Sequence, residues 1–179
     1  MATNIEIKAV YPNLEKAKLI AIRLGAKPSL PQHQRDTYFT VPNGRLKMRE
    51  IPGISWLIPY VRPNDLEAKR SNYELLAIDA PEHTRELFTE ILGVSVVVEK
   101  QREIFLLDNV RIHLDHVTDL GCFLEFEAVY DATDPLAEET NRAKIEQLMI
   151  DFEIDSASLI RESYHDLLQR GAKTLCATG

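Results

Sequence analysis

The 179-residue chain is 45% hydrophobic and 27% charged, with seven Gly and nine Pro, which excludes disordered, collagen-like and low-complexity classes and fits one globular domain. Its net charge of −7 argues against a nucleic-acid-coating protein, but the charge is uneven: twelve Lys/Arg against six Asp/Glu up to Arg70, then nine against twenty-two. No apolar run nears the roughly 18 residues of a membrane span, no basic-then-apolar leader opens the chain, and Cys122 and Cys176 form neither a disulfide framework nor zinc spacing, so a cytoplasmic protein is expected.

In chain order, residues 3–10 alternate Asn4, Glu6 and Lys8 with Ile5, Ile7 and Ala9, the period of a half-buried strand. Asn13 reads as an N-cap, residues 14–24 as an amphipathic helix and Gly25 as its stop. Strands follow at 34–41 and 45–51, joined through Pro42-Asn43-Gly44, because Asn-Gly between alternating segments signals a hairpin. Further strands are predicted over 55–62 and 71–79, then a helix from Pro81 to about Leu92, closed by Gly93. Residues 94–107, 110–117 and 122–130 read as three more strands. A third helix runs from Asp134-Pro135 to about Phe152, and 169–179 reads as a flexible tail.

Eight strands with short connections predict an antiparallel sheet, and a sheet that wide loses its exposed edges by closing. The expected fold is therefore α+β: an eight-stranded antiparallel β-barrel, or tunnel, with flanking helices. It forms a single domain over 1–179 with its core at about 3–168.

Charges recur at a spacing of two: Asn4/Glu6/Lys8, Arg45/Lys47/Arg49, Tyr60/Arg62, Lys100/Arg102, Arg111/His113/Asp115 and Glu125/Glu127. Each set falls on one side of its strand. Any single set fits a solvated strand face, but cations concentrate on some strands and carboxylates on others. Turned inward, these sets make a wet tunnel of Lys and Arg with a carboxylate cluster, which needs a partner to offset the cost of burying charge. A polyanion carrying a divalent metal meets that need, since guanidinium groups bind phosphate oxygens bidentately and Mg2+ or Mn2+ takes carboxylate oxygens. That combination points to phosphoryl chemistry.

These residues resemble those of the CYTH superfamily, the triphosphate tunnel metalloenzymes, and most of all its class IV adenylyl cyclases. The family's Glu-x-Glu-x-Lys signature reads Asn4-Ile5-Glu6-Ile7-Lys8, with Asn4 in place of the first Glu. Further similarity lies in Gly44–Arg49, Tyr60-Val61-Arg62-Pro63, Lys69–Glu74, Val98–Phe105, His113–Glu127 and Ser163–Leu168. The resemblance implies an ATP-binding tunnel with Mg2+ or Mn2+ held by Glu6, Glu125 and Glu127, and Asp115 as a further acidic candidate. It implies phosphate contacts from Lys8, Arg45, Lys47, Arg49, Arg62, Lys69, Lys100, Arg102 and Arg111, of which Lys8, Arg62 and Lys100 are the catalytic candidates. The implied partner is a small-molecule triphosphate, with no nucleic acid and no membrane, and a homodimer is admitted.

The implied reaction is ATP to cyclic AMP and pyrophosphate. A triphosphatase for tripolyphosphate, nucleoside triphosphate or thiamine triphosphate is the alternative, and a non-catalytic polyphosphate or nucleotide binder the second. Asn4 is either a vacated ligand position, where Asn4→Glu tightens metal binding, or a hydrogen-bonding neighbour of the site. His113 shares parity with Asp115 and is weighed as a tunnel residue against a structural one. Trp56 is weighed as core against a base-stacking residue.

Overall fold

Alternation along β1 (Ala2–Val10) sends Ile5 and Ala9 into the core and leaves Asn4, Glu6 and Lys8 on the opposite face. The same rule acts on every long strand and divides the sheet into one apolar and one charged face. The computed structural model describes residues 2–61, 72–131, 133–134 and 136–176. After β1 come α1 (Leu14–Arg23), β2 (Lys27–Pro28), β3 (Gln32–Phe39), β4 (Arg45–Ile51), β5 (Ile54–Val61), β6 (Asn72–Tyr73) and β7 (Leu76–Ala77). The chain continues through α2 (Pro81–Leu92), β8 (Val94–Leu107), β9 (Val110–Val117), β10 (Gly121–Asp131), α3 (Ala137–Asp151) and α4 (Tyr164–Cys176).

Neighbouring strands pair antiparallel in the order β1-β10-β9-β8-β3-β4-β5-β6, with β2 on β8 and β7 on β5. The Pro42-Asn43-Gly44 hairpin forms as predicted between β3 and β4, with Gly44 at φ +70°. Among the described residues the predicted barrel does not close. The strand order ends at β1 and β6, and among the described residues these ends are not paired with each other, so the sheet is curled but open. The predicted strand over 71–79 explains much of this. Leu75-Leu76-Ala77-Ile78 breaks the two-residue alternation, and in its place stand β6 and β7, each two residues long among the described residues.

The apolar face of β1, β9 and β10 packs under α1 and α3, where Ile112, Leu114, Leu124 and Phe126 meet Ala17, Ile20, Ile145 and Phe152. The second core gathers Val98, Val117, Phe123, Tyr38 and Tyr164, with Leu167 and Leu168 of α4 against it. These strand residues belong to the charged face, so α4 covers one end of it. Helix α4 replaces most of the predicted flexible tail. It starts at a reciprocal cap not anticipated from the sequence: the Ser163 amide donates to Asp166 Oδ2 at 3.2 Å and the Asp166 amide donates to Ser163 Oγ at 3.2 Å. Replacing the cap by Ser163→Ala is expected to lower stability by about 1 kcal/mol, measured by urea unfolding. Among the described residues no helix is long and apolar enough to cross a membrane.

Candidate functional site

The charged face curls around a cavity of about 520 Å³. Asn4, Glu6 and Lys8 line it from β1, Glu125 and Glu127 from β10, Arg111 and His113 from β9, and Lys100 and Arg102 from β8. Gln34, Asp36 and Tyr38 of β3, Lys47 and Arg49 of β4, and Ile58 and Tyr60 of β5 complete the opposite wall. Register places opposite charges side by side: Asp36 faces Arg49, Asp115 faces Arg102 and Glu125 faces Lys8.

Asp36 lies at the centre of one cationic group. Its carboxylate accepts from Lys47 Nζ at 2.7 Å and from Arg49 Nε and Nη2, both at 2.7 Å. Burial pushes its acidity down, yet Lys47 and Arg49 outweigh that and hold the carboxyl far below the usual carboxylate range. Asp115, completely buried, anchors the other group. It accepts from Arg102 Nε at 2.6 Å and Nη2 at 2.5 Å, from Lys100 Nζ at 3.3 Å and from the Tyr164 hydroxyl at 2.9 Å. The Tyr164 ring also lies under the ammonium groups of Lys8, at 4.3 Å, and Lys100, at 5.1 Å.

Crowding of like charge has a consequence for the lysines. Burial, with Arg102 next to it, brings Lys100 down to about 7; burial and Arg49 bring Lys47 down to about 8. Both ammonium groups therefore titrate close to neutral pH. Burial and Arg102 also lower His113, which keeps its imidazole largely neutral.

The predicted residues separate into four groups. Lys8, Lys47, Arg49, Lys100, Arg102 and Arg111 line the cavity with Glu6, Glu125 and Glu127, and His113 joins them. Arg45 does not: its guanidinium reaches α4, donating to Ser163 Oγ at 3.0 Å and to Asp166 at 2.8 Å, because it sits at the strand end nearest that helix. Asp115 lies beneath the lining with its oxygens occupied by Lys100, Arg102 and Tyr164, which gives it the geometry of a cation anchor rather than of a metal ligand. Arg62 and Lys69 lie outside the described residues. Trp56 is half-buried, pairs in register with Arg49 and is not a lining residue. Asn4 donates from its amide to Glu127 Oε1 at 2.9 Å.

Asp36 and Tyr164 were missed. Asp36 shares its strand face with Gln34 and Tyr38, so no repeated charge marks it, and Tyr164 arrives from a helix far along the chain. The signal for Asp36 is its parity; for Tyr164 it is its place next to the Ser163 cap.

The CYTH domain matches residues 2–164, nearly the whole chain. The chain belongs to the CYTH family. Among solved structures, this CYTH domain is similar to the PH1012 protein of Pyrococcus horikoshii, with 27% identity, 92% of this chain and 99% of that one covered, and a TM-score of 0.79. It shares its fold with a candidate adenylate cyclase from Vibrio parahaemolyticus, with 21% identity, 92% and 97% covered, and a TM-score of 0.73. It also shares it with HpAC1 of Hippeastrum, a candidate adenylyl cyclase with a dominant triphosphatase activity, at 16% identity, 94% and 96% covered, and a TM-score of 0.66. No curated protein matches.

The donor chemistry suits a hard divalent cation: Glu6 and Glu127 face each other across the β1–β10 register, with Glu125 two residues along, and all three line the cavity. Their present arrangement is a different matter. Among the described residues no three acidic, His or Cys side chains are gathered into a ready metal-binding cluster.

Proposed function

We propose that this CYTH domain is a metal-dependent enzyme acting on triphosphates, and that its reaction is the conversion of ATP to cyclic AMP and pyrophosphate. The observation that carries the reading is the charge balance of one cavity. With Lys47 and Lys100 protonated, Lys8, Lys47, Arg49, Lys100, Arg102 and Arg111 stand against Glu6, Asp36, Glu125 and Glu127 among the lining side chains, and Asp115 beneath them brings the balance to one net positive charge. That excess draws a polyphosphate in, and a divalent cation supplies further neutralisation of the charge that develops during phosphoryl transfer.

In this reading the Arg102 and Arg49 guanidiniums, held rigid by Asp115 and Asp36, present their remaining N–H groups to phosphate oxygens. Lys8 and Lys100 flank the Tyr164 ring and neutralise charge near the phosphorus under attack. Glu125, Glu127 and Glu6 would hold the divalent cation. The cyclising step forms a bond between the ribose 3′-oxygen and the α-phosphorus and breaks the bond to the pyrophosphate leaving group, with the hydroxyl proton passing to solvent. Apolar wall residues Ile58, Ile104 and Leu106 offer contact surface to the nucleoside that an inorganic chain does not use. Similarity to the cyclase-like segments Val98–Phe105 and His113–Glu127 supports cyclisation, and the triphosphatase activity of HpAC1 supports keeping phosphohydrolysis as the second reading.

Product identification tests the proposal: the protein is incubated with Mg2+ or Mn2+ and, separately, ATP and tripolyphosphate. Cyclic AMP with pyrophosphate is expected; orthophosphate release makes it a triphosphatase, and no turnover makes it a binder. The lysines add a pH dependence. Lys100 loses its charge as pH rises through about 7 and Lys47 through about 8, so tripolyphosphate affinity should fall across pH 7 to 9, by up to about tenfold per unit for each titrating ammonium. Lys100→Arg, which stays charged, should flatten the lower part of that profile when binding is followed by calorimetry.

A further inference from the structure

Two of the acidic side chains best placed for a metal are already engaged. Glu125 has Lys8 Nζ at 3.5 Å, Arg102 Nη2 at 3.6 Å and His113 Nδ1 at 3.3 Å. Glu127 accepts from Asn4 at one oxygen and from Arg111, at 3.2 Å, on the other. A divalent cation approaching either carboxylate meets fixed positive charge at short range. The same donors suit phosphate oxygens better, since a polyphosphate offers several anionic oxygens to one guanidinium.

We propose that the metal site is closed in the free protein and is opened by the triphosphate. The arriving phosphates take over Lys8 and Arg111 and bind the remaining N–H groups of Arg102, and the carboxylate oxygens that Lys8 and Arg111 leave become ligands for the divalent ion. Triphosphate and metal are then positively coupled, and by linkage each raises the affinity of the other by the same factor. Asn4 belongs to this device, because a neutral amide donor holds Glu127 without adding a charge that the metal must overcome. The proposal rests on the triphosphate reading above.

The test measures metal without triphosphate and triphosphate without metal. Mn2+ binding to the free protein, followed by the spin resonance of unbound Mn2+, should be in the millimolar range. Lys8→Met and Arg111→Met should each tighten it about tenfold by removing the competing charge. Arg111 is half-exposed, so that variant keeps its fold even if Lys8→Met does not. In chelator, Glu125→Gln should bind tripolyphosphate several-fold more tightly than wild type, since Lys8 and Arg102 lose a competitor. Tight Mn2+ binding to the free wild type, or variants that bind Mn2+ no better, overturns the proposal. Failure of every form to bind tripolyphosphate instead overturns the functional reading, while the Mn2+ arm still reports whether the cations block the carboxylates.

Discussion

Glu125→Gln should reduce metal-dependent turnover of a triphosphate by about 100-fold or more while leaving the fold intact. Glu125 is the acidic residue around which the two halves of the site meet: Lys8 pairs with it in register from β1, Arg102 reaches it from β8, and His113 touches it from β9. Burial raises its carboxyl, but Arg102 and Lys8 overcome that and hold it well below the normal range, so it is ionised whenever substrate binds. The amide keeps shape and volume and removes the charge that a hard cation requires. Glu138→Gln, on the exposed face of α3 next to Arg142, should leave turnover unchanged. Steady-state rates with Mg2+ and Mn2+, together with circular dichroism of each variant, check the prediction.

Asp115→Asn should be the most destabilising single change in the site, at about 3–5 kcal/mol. The carboxylate has no exposed surface and offsets two buried cations at once, Lys100 and Arg102, while also accepting the Tyr164 hydroxyl that docks α4. An amide leaves Lys100 and Arg102 facing each other with only Glu125, 3.6 Å from Arg102 Nη2, to offset them, and its NH2 competes with them as a donor. Urea unfolding reads the loss. Bound tripolyphosphate should restore part of it, because a ligand that binds only the folded form adds to stability and this one also supplies the missing negative charge. A loss confined to a few tenths of a kcal/mol would mean that Lys100 and Arg102 are held by something else.

What the sequence disclosed and what it withheld follow from the same geometry. Lys47/Arg49, Lys100/Arg102 and Glu125/Glu127 were legible because a strand's period is fixed at two, so parity alone assigns them to one face. Which charge meets which was not legible, since it depends on register. Asp36 opposite Arg49 and Asp115 opposite Arg102 are pairings across strands that no local pattern announces. For that reason Asp115 reads from sequence as one more candidate ligand, when its partners make it an anchor. Arg45 illustrates the limit of parity: it shares a strand face with Lys47 and Arg49, but two residues along the strand bring it to Ser163 and Asp166 of α4. Closure of the sheet depends on edge strands finding each other, and among the described residues β6 and β7 are too short to extend the wall.

A metal-bound triphosphate should sit on the curled, charged face of the sheet. Diffraction from a crystal grown with Mn2+ and a non-hydrolysable ATP analogue tests it most directly, with the anomalous signal of Mn2+ locating the ion. Phosphate oxygens are expected within hydrogen-bond reach of Lys8, Arg49, Lys100 and Arg102, and Mn2+ on the oxygens of Glu125 and Glu127 with Lys8 and Arg111 drawn away from them. A triphosphate bound on the outer helices, or phosphates in the cavity while Mn2+ lies far from those two carboxylates, would contradict it.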